Sequence, residues 1–462
     1  QGKEYPFSYT PEEKQVIGIG DDWYARVRKK DSLCPAGHNS ALIFPGGKVA
    51  RCCQIGEKHL VGDFFDTNFS LLDSPLVCEA DHCPCDESRL FGEESTDSDL
   101  DVKGSPTGNV NIDLSGLQEL QRKNSDLNDR EYNEGKIILE SSPKAIFIQA
   151  AGPCNSYCVF CSRGPDYKLF NLVEHRKKFE KNLYPFIERA QTLIFTGSGE
   201  FLQLPDAQDT LDFFDYRFPH VQKFFSTNGS SLKQWVADKI ISGRSNYTIH
   251  ASLHASNAKL HKTLTRMDNF DAIIGQIKYI IANRKDASKL KVNLIFVATT
   301  LNIEDLPEFI KLASELKVDK VVCYYNFIYV QAQKYLSCFF KQDLTNAMFD
   351  QAQDLANRLG IALELPFRFG QAQYPDLGPC REAFSQIMFD WDGNVLPCDA
   401  AEDCHERLTE ERAFMEVWNS PYYQKLRKSL RENYQACSRH CLRANPAGVN
   451  DFKSHVIYRG GG

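Results

Sequence analysis

Three cysteines at spacings of three and two, Cys154-Asn-Ser-Tyr-Cys158-Val-Phe160-Cys161, stand just after the apolar run Ala145-Ile146-Phe147-Ile148. Three thiolates on one short loop can hold three irons of a [4Fe–4S] cluster and leave the fourth iron without a protein ligand. An iron left open in this way is reactive. Structural zinc sites favour paired C-x2-C knuckles, and two-cluster ferredoxins need a fourth cysteine in the same run. The loop therefore asks for a fold that carries an exposed turn at the end of a buried strand.

The chain around the loop supplies such a fold. From Ile137 onward, apolar runs at 145–149, 192–196, 221–226, 246–253, 291–298 and 319–325 alternate with helical stretches at 171–190, 231–242, 269–284, 304–316 and 343–359. Alternation of this kind marks repeated βα units and a parallel sheet. In a parallel barrel the chemistry gathers at the C-terminal ends of the strands, which is where the cysteine loop would leave the first strand. The expected fold class is α/β, a partial (β/α)6 TIM-like barrel flanked by N-terminal and C-terminal cysteine-rich modules.

The flanking modules are read from a repeat. Cys34, twelve residues, Gly47, four residues and Cys52 recur as Cys380, twelve residues, Gly393, four residues and Cys398. In each copy apolar residues flank a glycine turn, Pro45-Gly46-Gly47 in one and Asp390-Trp-Asp-Gly393 in the other, so each reads as a hairpin with a cysteine near one end. Further cysteines follow each copy, namely Cys53, Cys78, Cys83 and Cys85 on one side and Cys404, Cys437 and Cys441 on the other. Zinc would take the same thiolates. Between Asp86 and Asp101 the chain holds seven acidic residues and one basic one, too poor in apolar groups to build a core. The expected domains are a cysteine-rich module over 1–85, an acidic and polar linker over 86–135, the barrel over 136–370 and a second cysteine-rich module over 371–462.

The cysteine loop, with an aromatic before its last cysteine and a strand before its first, resembles that of the radical S-adenosylmethionine (SAM) enzymes. The resemblance implies that Cys154, Cys158 and Cys161 ligate a [4Fe–4S] cluster whose open iron chelates SAM, which is reductively cleaved to a 5′-deoxyadenosyl radical that abstracts hydrogen from a substrate. It also implies a SAM site. Gly197-Ser198-Gly199-Glu200 corresponds to the family's Gly-Gly-Glu segment, which binds the SAM amino group, with Ser198 in place of one glycine. Ser226, Asn228 and Ser252 match small polar positions near the ribose and carboxylate, Arg266 could pair with that carboxylate, and Phe160 should pack near the adenine. The C-terminal module resembles the SPASM or twitch extension of the same superfamily, down to Glu416-Val-Trp418-Asn419-Ser420 of its linking helix. The two-cluster SPASM pattern needs about seven cysteines and residues 380 to 441 supply five, so the expectation is one auxiliary cluster there and a second in the N-terminal module.

Charge and hydropathy exclude several other classes. The balance of 54 basic against 61 acidic residues, net −7, leaves no broad basic surface for nucleic acid or an anionic membrane. No apolar run approaches the length of a membrane span, and the first thirty residues carry charges throughout, so a cytoplasmic protein is expected. Sixteen cysteines then point to metal or redox chemistry rather than disulfides. His250, His254 and His261 do not reproduce the two-turn helical spacing of a zincin. The implied substrate is a ribosomally made peptide or protein, with an external electron donor such as flavodoxin or ferredoxin and a small recognition protein as partners. A dehydrogenase, dehydratase or epimerase acting on a carbohydrate or aminocyclitol is the alternative, and a zinc-stabilised scaffold without enzymatic activity is the reading from another class.

Overall fold

The computed structural model describes residues 114–149, 154–161, 182–196, 199–204, 207–375, 379–389, 393–398, 406–409, 411–432, 440–442 and 445–457, and the backbone of five short strands between 33 and 77. The chain divides into two compact units, Gln1–Asn111 and Ile112–Gly462.

In the first unit, β1 (Leu33–Cys34) pairs antiparallel with β5 (Leu76–Val77). Strands β2 (Leu42–Ile43), β3 (Lys48–Ala50) and β4 (Leu60–Asp63) form an antiparallel sheet in which Leu42 opposes Ala50 and Lys48 opposes Asp63. The antiparallel strand pairing expected of the first hairpin is therefore present at the backbone level, while its Pro45-Gly46-Gly47 turn lies outside the described residues. Pairing of β1 with β5 brings the backbone of Cys34 beside that of Leu76, two residues before Cys78. Cys52, Cys53, Cys78, Cys83 and Cys85 lie outside the described residues.

The second unit is built on one sheet. Its strands are β6 (Ala145–Gln149), β7 (Thr192–Thr196), β8 (Gln222–Thr227), β9 (Tyr247–Ser252), β10 (Leu290–Ala298) and β11 (Lys320–Tyr325), each parallel to the one before, with β12 (Ala362–Glu364) parallel at the edge. These six main strands are the six apolar runs of the sequence. Between them run α2 (Tyr184–Ile187), α3 (Ala207–Arg217), α4 (Gln234–Ser242), α5 (Ala258–Thr265), α6 (Phe270–Asn283) and α7 (Leu306–Leu316), and α8 (Gln342–Leu359) follows β11. One face of each strand packs on helices: Phe195 meets Phe214 of α3, Phe296 meets Phe309 of α7, and Tyr325 meets Phe349 of α8, with ring centroids 5.1–5.8 Å apart. Residues on that face, such as Ile249, Leu294 and Val321, have no exposure. The alternate residues turn to the concave side of the sheet.

The stretch 86–135 was expected to be a linker that is partly helical from about Leu114 to Gly135. Within the stretch 86–135, α1 (Leu114–Glu134) is a 21-residue helix of the second unit. Its buried face is polar, with Asn124, Asn128 and Glu131 as well as Tyr132, and each polar group answers a backbone need. Glu131 accepts from the amides of Glu140 and Ser141 at 2.9 and 3.1 Å, Asn124 from that of Ser142 at 2.8 Å, and Asn128 donates to Phe384 O at 2.7 Å. The helix thus pins the chain that leads into β6. A helix whose inner face reads as hydrophilic gives no apolar period to find.

The C-terminal region joins the same sheet. After α9 (Glu382–Ser385), β13 (Gln386–Phe389) runs parallel to β6, with Gln386 opposite Ala145. It then turns back as β14 (Asn394–Leu396), which pairs with β15 (Glu406–Arg407). Gly393 in the turn has φ +80°, a left-handed conformation that glycine adopts without penalty. Helices α10 (Phe414–Trp418) and α11 (Pro421–Glu432) fold back on the barrel entrance. There the indole of Trp418 donates to Ser141 O at 3.0 Å, Asn419 bonds both the amide and the carbonyl of Leu139, and the buried Arg427 guanidinium lies 4.3 Å from the Trp418 ring. Among the described residues no helix is long and apolar enough to cross a membrane.

Candidate functional site

The cysteine loop is held by backbone bonds that do not depend on its thiols. The amides of Tyr157 and Val159 donate to Thr265 O at 3.1 Å and Leu264 O at 2.8 Å at the end of α5, and Gln333 Nε2 donates to the carbonyls of Val159 and Cys161 at 3.2 and 2.9 Å. Phe160 anchors the loop from below. It is 8% exposed in a small apolar cluster with Ala255, Leu264 and Leu336, with Val297 of β10 packed against it, and its ring meets His254 edge-on at 5.0 Å. In the loop so held, Cys154 and Cys158 are half-buried and Cys161 is exposed.

The end of β8 reaches this loop. Asn228 Nδ2 donates to Asn155 Oδ1 and Ser156 Oγ, both at 3.0 Å, and lies 3.7 Å from Cys154 Sγ, which also accepts from the Ser156 amide at 3.5 Å. In the turn that follows, Gly229 has φ +79°, and a Cβ there would come within 2.7 Å of Ile273.

Glu200 ties the second turn to the third. Its carboxylate is 1% exposed and accepts from Thr227 Oγ1 at 2.8 Å, the Asn228 amide at 2.6 Å and the Leu202 amide at 3.3 Å. Burial pushes its pKa up from the usual 4.5 to about 7 against the pull of those bonds. An ionised carboxylate has about four acceptor positions, so one remains for a cation. No lysine or arginine pairs with it among the described residues. Because the folded pKa is raised, Glu200 contributes stability that is fully present below pH 4.5 and is lost as the pH rises through about 7. The shift corresponds to about 3 kcal/mol. Urea unfolding at pH 5 and pH 8 should show this loss in the wild type and not in Glu200→Gln, and equal pH dependence in the two proteins would reject it.

The remaining predicted positions are distributed as follows. Gly199, at φ +148°, precedes Glu200, while Gly197 and Ser198 lie outside the described residues. Ser226 and Ser252 are half-buried on the concave side of β8 and β9. Arg266 is exposed, next to the Thr265 carbonyl that anchors the loop. His261 is committed to Leu253 O and Asn269 Oδ1 at 2.9 and 3.1 Å, and His254 Nδ1 accepts from the Val297 amide at 3.2 Å. Both are bonded core histidines. Of the C-terminal cysteines, Cys380, Cys398 and Cys441 are half-buried, while Cys404 and Cys437 lie outside the described residues. Cys323 and Cys338 are buried in the main hydrophobic core.

Among the described residues no three Cys, His, Asp or Glu side chains converge on one point as a single ion would need. Thiolates that each take a different iron of a cluster need not converge in this way. Sequence reasoning missed Asn302, whose Nδ2 bridges His254 O and Val297 O at 2.9 and 3.0 Å and so joins the ends of β9 and β10 beside Phe160. It also missed Asn155, Ser156 and Gln333. Single polar residues in turns carry no local signal of that kind.

Residues 380–442 match the family described as SPASM, an iron–sulfur cluster-binding domain. Among solved structures, Streptococcus suis SuiB bound to its precursor peptide SuiA superposes with a TM-score of 0.50 at 16% identity, over 66% of this chain and 71% of SuiB. SuiB alone gives 0.51 at 17%, over 66% and 72%. The anSMEcpe enzyme with bound AdoMet gives 0.47 at 15%, over 61% of this chain and 83% of that one. No curated protein sequence matches. Residues 380–442 thus match the SPASM iron–sulfur cluster-binding domain family, and about two thirds of the chain shares its fold with SuiB.

Proposed function

We propose that this chain is a radical SAM enzyme that modifies a ribosomally made peptide or protein. The observation that carries the reading is the Cys154–Cys161 loop beyond β6, braced by Asn228 from β8, in a chain that also holds an SPASM domain. A [4Fe–4S] cluster on Cys154, Cys158 and Cys161 supplies, with bound SAM, one-electron reductive cleavage and hydrogen abstraction. The chain's own residues bind and orient. Glu200 offers a carboxylate without a cation partner to the SAM ammonium group, and Gly197 and Ser198 would border it. Phe160, Leu264 and Leu336 form an apolar wall for the adenine that excludes water from the loop. Ser252 and Arg266 stand on the side where the ribose and carboxylate would lie. SAM affinity should fall by about tenfold per pH unit below about 7, as Glu200 takes up a proton.

The peptide substrate is supported by the shared fold with SuiB, which was solved with its precursor peptide. An electron donor such as flavodoxin or ferredoxin and a small recognition protein would complete the system. The N-terminal cysteine set would hold a second auxiliary cluster, with Cys34, Cys52, Cys78, Cys83 and Cys85 as candidate ligands and Cys380, Cys398, Cys404, Cys437 and Cys441 as those of the SPASM domain.

Anaerobic reconstitution tests the reading. The full chain should hold about twelve irons from three four-iron clusters and form 5′-deoxyadenosine from SAM under reduction. Replacing Cys78, Cys83 and Cys85 with alanine should lower the iron to about eight. Stoichiometric zinc that disappears in that variant would instead make the N-terminal module a zinc site. Protein with a full iron complement and no 5′-deoxyadenosine would overturn the proposed activity.

A further inference from the structure

Two residues before Asn228 on β8, Ser226 starts a polar row that crosses four strands in register. Ser226 opposes His250 of β9, His250 opposes Asn293 of β10, and Asn293 opposes Lys320 of β11. All four belong to the concave face, since Phe225, Ile249, Leu294 and Val321 beside them have no exposure and pack on the helix side. Two residues of strand cover about 7 Å. Ser226 therefore lies one layer below Asn228 and the cysteine loop that it braces, and the row runs from there to Lys320 at the start of β11.

The row is incomplete in hydrogen bonds. Asn293 is 7% exposed, and its Oδ1 is buried with no partner. Among the described residues neither ring nitrogen of His250 has a hydrogen-bond partner, and the ring is fixed edge-on to Phe224 at 4.3 Å. At the far end Lys320 is ion-paired with Glu364 of β12, so it presents no uncompensated charge. Burial, and then the nearby Lys320, lower the His250 pKa to about 4, which keeps the imidazole neutral. A buried amide oxygen without a partner is destabilising, and departures of that kind cluster at functional sites. Another buried atom without a partner, Ser142 Oγ, lies by the barrel entrance, away from the cysteine loop.

We infer that Ser226, His250 and Asn293 form the floor of the substrate pocket and receive a neutral hydrogen-bond-donating group, a primary amide or a hydroxyl, of the substrate. The Asn293 carbonyl accepts from that group, and the neutral His250 ring supplies a second hydrogen bond. A carboxylate is refused because it has no donor for Asn293 Oδ1 and the only cation in the row is already paired. This rests on the barrel being the catalytic domain proposed above and names what its substrate must carry.

The test uses the full chain without cluster or SAM, so its outcome is independent of radical chemistry. Imidazole nitrogen resonances are followed by NMR in protein with labelled histidine, His250 being identified by its loss in His250→Gln, while acetamide, ethylene glycol or acetate is added. Saturable shifts of the His250 signals are expected with acetamide and glycol and none with acetate. Asn293→Leu, nearly the same size, should weaken the acetamide response at least tenfold while its thermal midpoint is no lower than that of the wild type. Asn293→Ala gives the same readout if the leucine variant does not fold. Tighter acetamide points to a peptide amide as the source of the group, and tighter glycol to a carbohydrate hydroxyl. The inference fails if the wild-type signals do not respond, if acetate acts as strongly as acetamide, or if the Asn293 variants respond like the wild type.

Discussion

Replacing Cys154, Cys158 and Cys161 together with alanine is expected to abolish formation of 5′-deoxyadenosine and to leave the iron held by the C-terminal cysteines in place. The loss should be complete within detection, because the variant keeps none of the three thiolates that would hold the cluster with the open iron. The fold should survive. The loop is fixed by the Tyr157 and Val159 amides, by Gln333 and by Phe160, none of which uses a thiol, so the metal-free variant should unfold within a few tenths of a kcal/mol of the metal-free wild type. Iron analysis should show a loss of about four atoms per chain. Undiminished SAM cleavage in the triple variant would mean that the open-iron site is elsewhere.

Trp418→Ala should lower the stability of the second unit by about 3–5 kcal/mol, the usual cost of emptying a large aromatic site in a core. Trp418 is fully buried, and its loss removes the bond to Ser141 O and the ring that the Arg427 guanidinium stacks on. Arg427 also donates to Ala383 O at 2.9 Å and Ile137 O at 3.0 Å, so it ties α11 to both the entrance of β6 and the approach to β13. Breaking up a buried, bonded charge is strongly destabilising, and Arg427→Ala should be of comparable severity. Urea unfolding followed by tryptophan fluorescence and circular dichroism measures both. A midpoint shift equivalent to less than 1 kcal/mol in Trp418→Ala would show that the C-terminal helices are not part of the barrel's cooperative unit.

Such long-range ties separate what local pattern reveals from what it hides. The six barrel strands were legible because a strand buried in a parallel sheet is a nearly continuous apolar run, and each run from 145–149 to 319–325 became a strand within two residues of its expected ends. The hairpins were legible because glycine marks the turns, as Gly393 does with its positive φ. In contrast, α1 was read as part of a linker because Asn124, Asn128 and Glu131 serve the backbone of residues 140–142 and 384 rather than a hydrophobic core.

The sequence by itself determined the βα alternation, the cysteine loop beyond its first strand and the repeated cysteine spacing, since each depends on residues within a few positions of one another. Only the tertiary structure decided that β13 extends the barrel sheet beside β6, that Asn228 braces the cysteine loop, and that Ser226, His250, Asn293 and Lys320 share one row. Those relations are register between strands far apart in the chain. Register is set by the packing of whole faces and by backbone hydrogen bonds across the sheet, and no single segment encodes it.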